Sequence, residues 1–269
     1  MPEVPDLEAI RGFLNRRIVG TTIERVDVNI PVVIRIPRED FVRLLTGDSL
    51  GEIHRYGKFL LFSTASGRIL VINPMLTGRF SLVDPKTKKH ARTAFSLALS
   101  DGCELRYADQ RLMGRVYLVQ PEEVQSLPQF ADMGPDVLDP ALTEEVFRQR
   151  IRKYSGQIKS ILVNAKFVAG IGNAYSDEIL WEAGIHPYRK RTAITDEEMT
   201  KLYDAITSVL RWSEGVVAEK MSESLDYSEW RDHLRVHRRG GQPCPRCGNT
   251  ISEITAGQRI TSFCRHCQP

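Results

Sequence analysis

Two C-x-x-C pairs close the chain: Cys244 and Cys247 in "CPRC", then Cys264 and Cys267 in "CRHC". Thiols at this spacing, on either side of a hairpin-sized stretch, read as one tetrahedral zinc site rather than as two disulfides. Four thiolates leave no open coordination position, so the metal is a structural staple. The staple forces the intervening "GNTISEITAGQRITSF" to fold back on itself, with "TAGQR" as the turn. Arg259 then stands beside the tip, either as an ordinary solvated arginine or as a group that reaches a phosphate. The fifth cysteine, Cys103 in "LSDGCELRYAD", reads as a small strand residue.

Ahead of the zinc module the hydrophobic periodicity changes once. Residues 1–125 open with an amphipathic helix, "PDLEAIRGFLNRRIVG", and continue as short alternating segments. These are "TIERVDVN", "KFLLFSTASGRILVIN", "RFSLVD", "TAFSLALSDGCELRYAD" and "GRVYLVQ". Compact turns such as "ASGR" and "SDGC" join several of them, which predicts hairpins and a two-sheet β domain. The Pro-punctuated residues 126–140 read as a linker. Residues 141–240 have helical periodicity, with Thr143 and Thr195, each followed by glutamates, as helix-start signals. Residues 241–269 are the zinc module. The fold class is α+β and multi-domain.

Within the helical region, "NAKFVAGIGNAYSDEILWEAGIHP" sets Gly170 and Gly172 in a tight turn with Asn173 positioned to cap the next helix. A glycine turn feeding a helix N-terminus offers N–H groups and a positive dipole end to a phosphate. The same features also serve purely structural helix–turn–helix units. Lys153, Lys159 and Lys166 lie close by in sequence. A formal charge of +3 is only a mild pointer to an anionic partner. No apolar run approaches the roughly 20 residues of a membrane helix, and Glu3, Asp6 and Glu8 interrupt any signal-peptide core, so a cytoplasmic protein is expected.

The opening "MPEVPDLEAI" admits two readings. In the plainer one, Pro2 and Glu3 begin a helix, where proline loses no hydrogen bond and an acid complements the dipole. The other comes from the whole chain. "MPEVPDLEAI", "RYGKFLLF", "QRLMGR", "IKSILVNAKFVAGIGNAYSDEILWEAGIHP" and "CPRCGNTISEITAGQRITSFCRHCQ" follow one another as in the formamidopyrimidine-DNA glycosylase / endonuclease VIII family, which the chain resembles end to end. The resemblance implies an N-terminal β-sandwich with a leading helix, a helical domain with a helix–two-turn–helix, and a C-terminal zinc-finger β-hairpin. It also implies a monomeric, nucleoid-associated repair enzyme acting on duplex DNA, with one structural Zn2+.

For the residues, the resemblance implies that Met1 is removed and Pro2 becomes the nucleophile. An α-amine has a pKa near about 8, so a useful fraction is unprotonated at neutral pH. Glu3 matches the acid that shuttles a proton to the opening sugar. Lys58, otherwise an edge-strand lysine, matches a proton-transfer and phosphate-contacting lysine. Arg259 matches an arginine of δ-elimination. Lys159 and Asn173 match phosphate ligands, and His90, Arg111 and Lys153 stand among the DNA contacts. An extruded base leaves a gap to be filled. Arg111 faces the orphaned partner base, while Met113 and Leu76, or Met75 beside it, match the intercalating wedge. The alternative for these three apolar residues is core packing.

Several positions depart from the family pattern. Asp6 replaces a glutamate, Pro74 enters the "NPMLTG" turn, and "KKHARTAFSL" around His90 lacks the usual histidine pair. "KMSESLDYSEWRDH" stands in place of a glycine-containing lesion-capping loop. The lesion therefore stays open among oxidised purines, ring-opened purines and oxidised pyrimidines. A damage-binding protein with weak turnover and a zinc-stapled structural or RNA-associated module are the rival readings.

Overall fold

The structure is a computed structural model that describes residues 2–226, 230–256 and 259–269. It divides into two compact units, Met1–Ala131 with Glu214–Trp230, and Asp132–Ser213 with Arg231–Pro269. Among the described residues no helix is long and apolar enough to cross a membrane.

The first unit begins with α1 (Val4–Arg17). Eight strands follow: β1 (Ile23–Val28), β2 (Leu50–Tyr56), β3 (Phe59–Thr64), β4 (Ile69–Asn73), β5 (Gly78–Val83), β6 (Thr93–Leu99), β7 (Glu104–Asp109) and β8 (Arg115–Val119), with α2 (Arg38–Leu45) between β1 and β2. They form two antiparallel sheets, ordered β1-β6-β7-β5 and β2-β3-β4-β8. Alternation along the strands turns one face of each sheet inward. Phe62 of β3 and Phe80 of β5 meet from opposite sheets at 6.2 Å, and Tyr107 of β7 stacks on Phe95 of β6. The sandwich with its leading helix is as expected, whereas α2 and β2 were not among the anticipated segments. The connecting stretch is packed, since Phe130 stacks on Tyr56 at 5.1 Å.

β7 is buried along its whole length. Its inward residues Leu105 and Tyr107 join the core. On the other face, Arg106 pairs with Glu104 and donates to the carbonyls of Pro85 and Lys88, so the strand's outer side is roofed by the 84–92 loop. Close approach also fixes where β5 starts. A Cβ at Gly78 would stand 2.5 Å from the Pro74 carbonyl oxygen and 2.3 Å from the Tyr107 hydroxyl. Gly78→Ala is therefore expected to destabilise the protein by about 2 kcal/mol or more, read as a lower urea midpoint.

The second unit holds α3 (Glu144–Ile151), α4 (Ile158–Leu162), α5 (Asn173–Ala183), most of α6 (Asp196–Lys220), and the hairpin β9 (Ser252–Ala256) with β10 (Arg259–Phe263). Thr143 caps α3 by accepting from Val146 N. Thr195 and Glu198 close a reciprocal capping box on α6. The cap of α5 is Gly172, not Asn173, which is the first helical residue. Glycine suits a cap where the chain enters the helix straight from a tight turn.

Candidate functional site

Pro2 is buried and Glu3 is only 2% exposed. Glu3 is the cap residue of α1, and the Asp6 carboxylate accepts its backbone N–H at 2.7 Å. The short Asp6 side chain thus still holds the head of the helix. One turn further on, Glu8 accepts from Arg55 Nε at 2.5 Å and from Arg11. Arg55 also donates to the Gly57 carbonyl at 2.9 Å. Gly57, in the left-handed region, and Lys58 form the turn of the β2–β3 hairpin. Lys58 is accordingly a turn residue rather than an edge-strand one. The buried Glu8–Arg55 pair brings the head of α1 and the Lys58 turn into one frame. Neither Glu8 nor Arg55 was singled out by sequence reasoning, because their roles depend on a contact between distant segments.

Among large apolar side chains, Leu76 is 36% and Met113 40% exposed, which removes core packing as an explanation for either. Met75 is half-buried and has a left-handed φ of 49°, an arrangement uncommon outside glycine. Arg111 is exposed. His90 is exposed, with Nε2 4.0 Å from Asp226. Residues 227–229 of the expected capping-loop segment, Met1, and Gly257 and Gln258 of "TAGQR" lie outside the described residues.

In the second unit Lys153 is exposed just after α3. Lys159 differs from the phosphate ligand expected of it. It is 7% exposed, and its ammonium donates to Asp177 Oδ1 (2.6 Å), Thr261 Oγ1 (2.8 Å) and the Ile260 carbonyl (3.1 Å). An ammonium has three protons, and the protein supplies acceptors for all three. Asn173 likewise donates from Nδ2 to the Ile260 carbonyl at 2.8 Å. Asp177 is the hub: its other oxygen meets His237 Nδ1 (2.7 Å) and the Ser262 N–H (3.1 Å). Beside it, Glu178 accepts the backbone N–H groups of Arg235, Val236 and His237. Burial pushes the Glu178 carboxyl up from its ordinary range, against those three N–H bonds. The "DE" pair of α5 therefore fastens β10 and the segment leading to the zinc module, a role no local pattern announces. Arg259 is exposed at the outer end of β10.

The four cysteine sulfurs lie within 4.8 Å of one another, with Cys247–Cys264 at 3.5 Å and Cys244–Cys267 at 3.9 Å. Tetrahedral Zn–S bonds of about 2.3 Å require sulfurs about 3.8 Å apart, so the donor set fits one zinc ion. Trp181 Nε1 donates to Cys244 Sγ, and Asn249 Nδ2 to Cys247 Sγ, each at 3.4 Å. The Asn249 bond brings the Cys247 thiol down to about 6, which makes it a ready thiolate ligand. Trp181 packs on this cluster between Arg235 and Arg246. Stripping the metal with a strong chelator is expected to shift Trp fluorescence and to abolish binding to duplex DNA, with both restored by added Zn2+. Unchanged binding after metal loss would remove the staple role.

Residues 1–116 match the family model described as "Formamidopyrimidine-DNA glycosylase N-terminal domain". Residues 133–225 match "Formamidopyrimidine-DNA glycosylase H2TH domain", and 241–269 match "Zinc finger found in FPG and IleRS". The chain is 37% identical over 277 residues to the formamidopyrimidine-DNA glycosylase of Desulforamulus reducens, covering 100% of this chain and 99% of that one. The enzyme of the same name from Pelotomaculum thermopropionicum is 33% identical over 278 residues, with 100% and 99% covered. Among solved structures, Lactococcus lactis formamidopyrimidine-DNA glycosylase bound to DNA with an abasic site superposes with a TM-score of 0.88 at 28% identity, covering 99% of both chains. A MutM complex with DNA containing carbocyclic 8-oxo-G gives 0.88 at 30% identity over all of both chains.

Proposed function

The chain belongs to the formamidopyrimidine-DNA glycosylase family, and on that premise we propose that it excises an oxidised or ring-opened base from duplex DNA and then cleaves the strand. The observation that carries this reading is the buried head of α1, where Asp6 holds Glu3 at its cap and the Glu8–Arg55 pair braces the Lys58 turn. Once Met1 is removed, the Pro2 amine attacks the deoxyribose C1′ and the damaged base leaves with the bonding electrons. The iminium that forms is an electron sink, so the neighbouring sugar proton becomes acidic and β- then δ-elimination follow.

Glu3 carries a proton to the opening sugar, Lys58 serves proton transfer and the lesion-strand phosphate, and Arg259 assists δ-elimination. Leu76 and Met113 fill the space vacated by the extruded nucleotide, with Arg111 toward the partner base. Lys153, His90 and Asn173 contribute DNA contacts. Lys159 acts here by holding β10, through Asp177, rather than by meeting a phosphate directly. The bound zinc ion supplies only the staple. The enzyme acts as a monomer in the cytoplasm, on the nucleoid. The relatives' name, with solved complexes that hold carbocyclic 8-oxo-G and N7-benzyl-Fapy-dG, turns the reading toward oxidised and ring-opened purines.

Borohydride trapping on duplexes with an oxidised guanine, a ring-opened purine, an oxidised pyrimidine or an abasic site tests this directly. A covalent adduct mapped to residue 2 is the expected result, and the lesion that traps names the substrate. Measurable binding without an adduct on any duplex, after complete Met1 removal, would replace catalysis by damage binding.

A further inference from the structure

Two loops run side by side between the sheets of the sandwich. Residues 74–77 lead from Asn73 to Gly78, and residues 110–114 lead from Asp109 to Arg115. Asn73 pairs with Arg115 in one sheet, and Gly78 pairs with Asp109 in the other. The loops thus pass together from one sheet to the other at one corner, and between them they carry Leu76, Arg111 and Met113.

One carboxylate joins them. Asp109 is fully buried, at 0% exposure. Its Oδ1 accepts the Thr77 hydroxyl, and the Arg111 N–H at 3.2 Å; its Oδ2 accepts the Gly114 N–H at 2.6 Å. Thr77 Oγ1 also takes the Arg111 N–H at 2.9 Å. Each loop holds a non-glycine residue in the left-handed region, Met75 in the first and Leu112 in the second, at φ 49° and 54°. Such backbone persists only where the surroundings over-determine it. At Gly114 a Cβ would come within 2.0 Å of the Tyr107 hydroxyl, so the second loop is pressed against the core as well.

We infer that Asp109 is the positioning residue of the base-extrusion apparatus: its carboxylate locks the two loops into one piece, so that Leu76, Met113 and Arg111 enter the stack together. The inference rests on the wedge reading given above. A carboxylate suits the task because it meets three donors with acceptor oxygens alone. An asparagine would turn an N–H toward one of those donors. The chemistry at Pro2 does not use Asp109, so extrusion and strand scission are separable.

The test compares two substrates in single-turnover assays. One is the damaged duplex that gives the borohydride adduct, and the other is a single-stranded oligonucleotide with a preformed abasic site, which needs no extrusion. Asp109→Asn is expected to slow excision from the duplex by at least about tenfold. Scission of the single strand should stay within about twofold of wild type. Thr77→Val, which removes the hydroxyl's two bonds, to Asp109 and from the Arg111 N–H, and leaves the charge, should fall between Asp109→Asn and wild type on the duplex. Unchanged duplex excision in Asp109→Asn, or equal slowing on both substrates, overturns the assignment. A parallel Leu76→Ala, Met113→Ala double variant separates the causes. If the double variant loses duplex excision and Asp109→Asn does not, the positioning role alone is wrong. If the double variant excises normally, the wedge reading fails and takes Asp109 with it.

Discussion

Keeping Met1 in front of Pro2 should abolish the borohydride adduct, and Pro2→Gly should lower single-turnover scission of an abasic duplex by at least about 10³-fold. The first change turns the nucleophile into an amide nitrogen without a basic lone pair. The second keeps an amine but loses the ring that fixes the approach at the head of α1. Binding of the duplex should change little in either case, because phosphate contacts dominate affinity. Wild-type scission should rise as the pH approaches about 8, where an α-amine loses its proton. Pro2→Gly cleaving as fast as wild type would remove the covalent mechanism.

The second large effect is expected far from that amine. Asp177→Ala leaves the Lys159 ammonium buried without its anion, and removes acceptors from His237 and from the Ser262 N–H. Breaking a buried pair by deleting one partner costs about 3–5 kcal/mol. That loss should appear as a lower urea midpoint with an unchanged slope. Asp177→Asn keeps one oxygen acceptor and should lose less. A midpoint within error of wild type in Asp177→Ala would mean that Lys159 finds other company.

The features readable in the sequence were those written locally. The four cysteines declare themselves by spacing and do converge. Thr143 and Thr195 start their helices as their types suggest. Alternation exposed most strands of the sandwich, but β2 was missed: "LGEIHRY" mixes charged and apolar residues without a clean period, and its burial is irregular. α2 escaped because eight residues after a proline give little helical signal. The larger gap concerns charged residues that are buried. Glu8, Arg55, Asp109, Asp177 and Glu178 look like surface residues in a one-dimensional reading. Each is inside because its partner arrives from a distant segment, 47 residues away for Glu8 and Arg55 and 85 for Asp177 and Ser262. Asn173 and Lys159, both expected to face an anion, also reach the backbone of β10, a contact that no local pattern announces.

The β9–β10 hairpin behaves as a beam clamped at one end. Burial is confined to its root, at Thr261, Ser262 and Phe263, while the strands toward Ala256 and Arg259 are exposed. On β10 the clamp reaches Ile260, whose carbonyl accepts from Lys159 Nζ at 3.1 Å and Asn173 Nδ2 at 2.8 Å, so Arg259 stands one residue step, about 3.3 Å, beyond it. A tilt of about 5° there moves the Arg259 backbone by only about 0.3 Å, against the misplacement of about 1 Å that costs a catalytic group about a hundredfold in rate. A clamp that reaches this far out leaves Arg259 a short free arm, so Asp177, Lys159 and Asn173 together set where its backbone stands.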